Sequence, residues 1–318
     1  MEKHFLYGNY EHNMLGKIVE ENKYDYSEGI YDNVSLDDKD SSHVEIIKQI
    51  DEDSTVLDIG CANGLLGSLI KKFKGCTIDG IEYDKEAAKV AYSRKIYEDV
   101  YVFSILDFEN RNFKKLLKTK RYDYIIFGDV LEHLSEPWDA IANVTKLLNE
   151  NGKIIISLPS IDNFDIFRGL INGEFNYNTY GMLDTTHIRF FTASSFADMI
   201  QNISEQYGLY YNVELCSQTH YGVPYSINDK FVELLRDNKD FENFFVMQNI
   251  FKISLSKDDK NHFYGFKNKK NNYKILCESI EKIFREKQEL ETKLNQVLEE
   301  CKKLNDTCNK IANCNEDI

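Results

Sequence analysis

The chain has little with which to staple or anchor itself. Its seven cysteines are scattered at positions 61, 76, 216, 277, 301, 308 and 314, and none forms a Cys-x-x-Cys pair. Zinc ribbons and thioredoxin-like redox motifs therefore lack their ligands. Odd, dispersed thiols fit a reducing compartment. No run reaches the roughly 18 to 20 apolar residues that a membrane-spanning helix needs. The opening Met1-Glu2-Lys3-His4-Phe5 is polar and leads into no apolar segment, so a cytoplasmic location is expected. Basic charge is also short: 39 Lys and Arg stand against 53 Asp and Glu, leaving −14. Such a surface repels phosphate backbones, which argues against nucleic acid as a partner. Proline occurs only three times, as Pro137, Pro159 and Pro224.

What is present is 318 residues, 42% apolar and 29% charged. That is enough chain to bury a core without covalent staples, as one large domain or two ordinary ones. Residues 1–40 read as a polar, aromatic entry segment. Residues 41–256 read as one domain in which strands and helices alternate. Ser42 and Glu45 suggest a capping box. Thr55–Asp58, Thr77–Glu82, Val100–Ser104, Tyr122–Phe127 and Lys153–Leu158 read as strands. Helices are predicted over Leu65–Phe73, from the Asp84 cap to Arg94, and from Ser135 to Leu148, where Pro137 is tolerated in the first turn. This rhythm implies right-handed βαβ units and a mostly parallel, doubly wound sheet.

Residues 160–192 break the rhythm with Phe164, Phe167, Phe175, Tyr177 and Tyr180 among Asn and Gly, and read as a substrate lid or a packed Ω-like loop. Tyr210–Cys216 and Phe245–Leu255 are predicted as an antiparallel pair at the sheet edge, with a helix near 228–236 between them. Residues 257–271 read as a polar linker. Beyond it, Leu276, Ile280, Ile283, Lys287, Leu290, Leu294, Val297, Cys301, Leu304, Cys308 and Ile311 step by four and three without a slip. That is a heptad seam over 272–314, predicting a coiled coil and either a homo-oligomer or another partner helix.

Ligands of an open parallel sheet bind beyond the carboxyl ends of its strands. Here the first strand runs into Asp58-Ile59-Gly60-Cys61-Ala62-Asn63-Gly64, where two glycines allow a sharp turn and close approach. The second strand ends at Glu82, a carboxylate placed to accept from a ribose diol. In a dinucleotide fingerprint Asp58 takes the place of the first glycine and Asn63 of the third. A carboxylate there repels a diphosphate and suits a ligand with a cationic amino group.

The run Val56–Gly64 resembles the first motif of class I S-adenosylmethionine-dependent methyltransferases. Ile81–Asp84 resembles their second, Tyr122–Leu134 their strand-four motif and Leu147–Lys153 their turn into strand five. The resemblance spans about residues 40–256 and implies a Rossmann-like seven-stranded sheet whose last strand is antiparallel. It implies S-adenosyl-L-methionine as cofactor and S-adenosyl-L-homocysteine as product. Asp58 with the backbone of Gly60, Cys61, Ala62 and Gly64 would hold the amino-acid end of the cofactor. Glu82 would take the ribose, Tyr83 would lie beside the adenine, and Asp107 with Phe108 would read it. Asp129 would lie near the methionine moiety or the acceptor.

A base is needed only when the acceptor must lose a proton. His133, after strand four, and His187, in Asp184–Thr192, are the two candidates; Asp129 is counted with them as a catalytic residue for its place near the acceptor. The Asp184–Thr192 run also resembles a subset of bacterial methyltransferases, many of them linked to glycan or cell-surface biosynthesis. Arg189 is expected to pair with Asp184 or an anionic acceptor. No Pro-Pro and no Pro-Cys occur, which excludes the motifs of DNA amino-group and cytosine-C5 methylation. No complete ligand set is visible, so no metal is expected. The expected activity is methyl transfer to an oxygen or nitrogen of a small-molecule or glycan-related acceptor. Two alternatives stand beside it. One is an NAD or nucleotide-sugar oxidoreductase, opposed by Asp58 and by the lack of a Tyr-x-x-x-Lys pair at Tyr83, Tyr92, Tyr97 or Tyr124. The other is a non-catalytic scaffold acting through its coiled coil.

Overall fold

The computed structural model describes residues 34–220, 245–266 and 272–315. The expected helix at 228–236 and most of the 1–40 entry segment lie outside them. The first of two compact units ends at Phe266. It is built in the order α1 (Ser42–Lys48), β1 (Thr55–Ile59), α2 (Leu65–Lys74), β2 (Thr77–Glu82), α3 (Lys85–Ser93), β3 (Tyr97–Val102), α4 (Arg111–Thr119), β4 (Tyr122–Gly128), α5 (Pro137–Val144), β5 (Leu148–Pro159), α6 (Phe164–Ile171), α7 (Ala193–Tyr207), β6 (Tyr211–His220), β7 (Val246–Leu255) and β8 (His262–Tyr264). The sheet order is β3-β2-β1-β4-β5-β7-β6-β8. Strands β1 to β5 are parallel, β7 is antiparallel to both β5 and β6, and β8 is parallel to β6.

Because helices cover both faces, the central strands are apolar on both sides. Leu57, Ile59, Ile125 and Phe127 face α4, α5 and α7 through Phe113, Ile141 and Phe196. Val56, Tyr124 and Ile126 face α1, α2 and α3 through Ile46, Leu69 and Ala91. Phe196 stacks on Phe251 with ring centroids 4.1 Å apart, tying α7 to β7. This packing fixes β1, β2 and β4 side by side, so the loops after them share one rim.

Several boundaries differ from the sequence reading, each for a local reason. Ser41, not Ser42, caps α1, and Glu45 instead takes hydrogen bonds from Lys48 and Ser217 at 2.7 and 2.6 Å. Strand β3 starts earlier, at Tyr97, whose ring is drawn into the core. Helix α5 starts at Pro137 and tightens into a 3-10 turn at Thr145–Leu147. Strand β5 begins at Leu148 because Asn149–Gly152 bulge out between the pairs Tyr122–Leu148 and Tyr124–Lys153. Among the described residues the sheet has eight strands rather than seven. The stretch read as a linker supplies β8, which pairs with Asn212–Glu214, so the β6–β7 pair is internal to the sheet.

The second unit holds α8 (Asn272–Asn315), 44 residues, which at 1.5 Å each span about 66 Å. Of its heptad positions, Leu290, Leu294, Val297 and Leu304 are exposed, as are the flanking Phe284 and Leu298.

Candidate active site

The turn after β1 is built by its glycines and by β2. Gly60 has φ +68°, and a Cβ there would come within 2.6 Å of Val130 Cγ2. Only glycine fits so tight a left-handed corner against β4's loop. Gly60 and Cys61 both donate main-chain N–H groups to the Ile81 carbonyl, at 2.8 and 3.1 Å. Ala62, itself at φ +46°, donates its N–H to Glu82 Oε2 at 2.8 Å. Gly64, φ +86°, then opens α2. The Glu82 carboxylate also accepts the Asp84 N–H at 2.9 Å. Two of its roughly four lone-pair sites are thus taken by backbone, and two remain for a ligand. The loop and the acidic residue of β2 form one hydrogen-bonded unit.

Asp58 is placed differently from its expected position as a carboxylate open to the crevice. It lies beneath the turn, 1% exposed, and accepts a 2.7 Å hydrogen bond from Tyr97. Burial pushes its carboxyl up to about 7; the Tyr97 hydrogen bond opposes that shift and nearby Glu82 adds to it. The Tyr97 ring fills a gap left by absent side chains: a Cβ on Gly67 would lie 2.2 Å from its hydroxyl. Cys61 is buried, and its Sγ would lie 2.8 Å from a Cβ on Gly80, so it packs rather than reaches outward.

Farther along the rim, Tyr83 is 77% exposed just past Glu82. Asp107 lies on the surface and accepts from the Asn110 side chain at 3.1 Å. It does not cap α4; Asn110 does. The Phe108 ring is turned onto Phe113, edge to face at 5.7 Å.

At the end of β4, Asp129 has φ +55°, a strained conformation for a residue with a Cβ. Its Oδ1 accepts from Ser157 at 2.7 Å and Gln248 at 2.8 Å. His43 of α1 lies close enough for its imidazole to feel this carboxylate: burial lowers its pKa and Asp129 raises it. The two expected base candidates come together. The His133 and His187 rings meet edge to face, centroids 4.8 Å apart. Burial lowers His187, against the pull of the Met182 carbonyl. Between His133 and Asp129, the Glu132 carboxyl is buried and pushed well above the usual carboxylate range, first by desolvation and then by Asp129.

Among the described residues Arg189 does not pair with Asp184. It donates to the Ser135 carbonyl at 3.2 and 2.5 Å and lies over the Trp138 ring at 5.2 Å. Asp184 closes a local turn with Thr186. Sequence reasoning missed Tyr97, His43, Glu132, Ser157 and Gln248. Only Glu132 carried a signal, as an acid inside the strand-four motif.

A family model described as "Methyltransferase domain" matches residues 40–207. The malonyl-[acyl-carrier protein] O-methyltransferase of Halalkalibacterium halodurans is 26% identical over 162 residues, covering 47% of this chain and 58% of that protein. The ubiquinone biosynthesis O-methyltransferase of Rickettsia bellii is 24% identical over 182 residues, covering 55% of this chain and 71% of that protein. The chain thus spans about three-fifths of the length of the first of these relatives. Among solved structures, the plantazolicin methyltransferase BpumL in complex with a pentazolic desmethylPZN analog and SAH aligns at TM-score 0.46 and 20% identity, over 75% of this chain and 90% of that one.

Proposed function

Since this chain belongs to the methyltransferase-domain family, matched over residues 40–207, we propose that it is an S-adenosylmethionine-dependent enzyme acting on an oxygen or nitrogen of a small-molecule acceptor. The observation that carries the reading is the closed unit of turn and acid: Ala62 N–H on Glu82, with Gly60 too tight against Val130 for any side chain. The residues fit the cofactor. Glu82 keeps two acceptor sites for the ribose hydroxyls, and the exposed Tyr83 offers a face to the adenine. Asp58 supplies negative charge beneath the amino-acid end, and Asp107 with the Phe108 backbone would read the adenine edge.

The cofactor brings a methyl group already activated on a sulfonium. What remains for the protein is positioning, the main source of rate in such a displacement. Asp129, braced by Ser157 and Gln248, orients the acceptor, and His133 or His187 takes its proton where one must leave. Within the 160–192 insert Phe175 packs edge to face on Tyr177 and Phe190 at 5.6 and 6.0 Å, and Tyr177 lies tilted to Phe190 at 6.5 Å, with Tyr177 half exposed. Such a platform supports an acceptor with a flat apolar face, including a sugar ring. The exposed apolar seam of α8 supports self-association or a helical partner. The free thiols of Cys61, Cys76, Cys216 and Cys301 support a cytoplasmic setting.

The test is calorimetric titration of the full chain with S-adenosylhomocysteine, with NADH in parallel, so that no acceptor need be known. A dissociation constant near or below about 10 μM, roughly −7 kcal/mol, with no NADH heat is the expected result. Binding of NADH alone overturns the reading, and no binding of either favours a non-catalytic scaffold.

A further inference from the structure

Where the end of β4 meets the segment after the aromatic insert, three donor groups converge. Glu132, His133 and His187 can each offer one ligand atom such that all lie within 4.8 Å of one another. Glu132 is 1% exposed, and among the described residues neither of its carboxylate oxygens has a hydrogen-bond partner. An unpaired buried oxygen costs on the order of 1–3 kcal/mol, and more when charged. Two on one carboxylate mark the place of a counter-group.

The histidines are already oriented. His133 Nδ1 lies 3.1 Å from the Thr186 carbonyl, and His187 Nδ1 lies 3.0 Å from the Met182 carbonyl. A carbonyl oxygen can only accept, so in the neutral imidazole each Nδ1 carries the proton and the lone pair lies on Nε2. Metal-binding imidazoles are held in this way, with the other nitrogen donating to a carbonyl or carboxylate. The two halves of the cluster are also locked together: the Glu132 carbonyl accepts the N–H groups of Ile188 and Arg189 at 2.9 and 3.0 Å. The sequence shows no ligand set because His187 lies far along the chain and arrives only through this docking.

We propose that Glu132, His133 and His187 form a binding site for a divalent transition metal. Two imidazoles and one carboxylate are the donor set of zinc sites that keep a coordination position open, and they suit iron and cobalt as well. Magnesium and calcium prefer all-oxygen sets. On the methyltransferase reading, on which this last step rests, the open position belongs to an oxygen of the acceptor, which makes a hydroxyl the group methylated; with both imidazoles bound to the ion, the metal in place of a histidine base would then ease loss of the hydroxyl proton. Ion binding itself does not depend on that reading.

The test uses the full chain, stripped with a chelator and returned to metal-free buffer. It is titrated with Co2+ while the visible d–d absorption is recorded, then with Zn2+ in competition. The expected result is one saturable cobalt site displaced by zinc, with affinity at least about tenfold weaker in His133→Ala and in His187→Ala. Circular dichroism melts establish that both variants fold. No saturable signal, an affinity in both variants unchanged from that of the parent chain, or a thiolate-to-cobalt charge-transfer band each overturns the site. S-adenosylhomocysteine is titrated into the same samples. Binding of that compound without cobalt sinks the metal site alone, and cobalt binding without it sinks the methyltransferase reading alone.

Discussion

Tyr97, at the start of β3, donates a 2.7 Å hydrogen bond to Asp58, at the end of β1, and both are buried. The acid is thereby fixed under the glycine turn by a side chain that crosses beneath β2. Replacing Tyr97 with Phe removes that donor and keeps the ring. We expect Tyr97→Phe to lose about 1–3 kcal/mol of folding stability, read by chemical denaturation. The Asp58 carboxyl should titrate still higher, because the lost bond is one that lowers it.

The pH dependence follows from the same pair. Burial raises Asp58 to about 7 in the folded chain, whereas an unfolded Asp titrates near about 3.9. Between those values the folded state holds the extra proton, so this group's contribution to the stability of the ligand-free chain is lost as pH rises through about 7. A cationic amino group needs the ionised form. Affinity for S-adenosylhomocysteine should therefore climb about tenfold per pH unit up to about 7 and level off above it. A flat calorimetric profile from about pH 5.5 to about 8 would remove Asp58 from the site.

Glu82 serves both the turn and the proposed ribose contact. Glu82→Gln keeps an acceptor oxygen but places an amide against two backbone N–H groups, from Ala62 and Asp84. Cofactor affinity should fall at least about tenfold, through one lost acceptor and a displaced turn. Glu82→Ala should fall at least as far. Unchanged affinity in both variants contradicts the assignment.

Gly60→Ala tests the corner. The new methyl meets Val130 Cγ2 at 2.6 Å in a left-handed backbone, so strain and collision add. A loss of roughly 1–3 kcal/mol is expected, visible as a lower thermal midpoint. Gly60→Ala with Val130→Ala should recover only the collision.

Arg189 is expected to hold the insert rather than the acceptor. Arg189→Ala removes both contacts to the Ser135 carbonyl and the stack on Trp138. Limited proteolysis within 160–192 should speed up, while S-adenosylhomocysteine affinity stays within about twofold, since no cofactor contact is lost.

The parts of the fold legible in sequence were those encoded locally. Thr77–Glu82 stands out through Ile78 and Ile81 ahead of a closing acid, and Asp84 announces its helix with a cap that the structure keeps, accepting the Ala87 N–H at 2.8 Å. The Tyr97–Asp58 bond was not legible, because it depends on Gly64 and Gly67 of α2 and its cap, together with Gly80 of β2, clearing room for one ring. Strand β8 was missed because three residues among polar neighbours show no period, and only pairing to β6 makes them a strand. His133 and His187 were each visible; their adjacency was not, since it arises from Glu132's main chain receiving a distant loop.

The two ends of the sheet carry a consequence for solubility. At one end β3 presents neighbouring Glu98 and Asp99, both exposed. A second copy approaching edge to edge would bring acid against acid. At the other end β8 is three residues long and offers too short a template for another strand to extend. Fibril-like growth through the main chain is thereby discouraged at both ends, by charge at one and by brevity at the other.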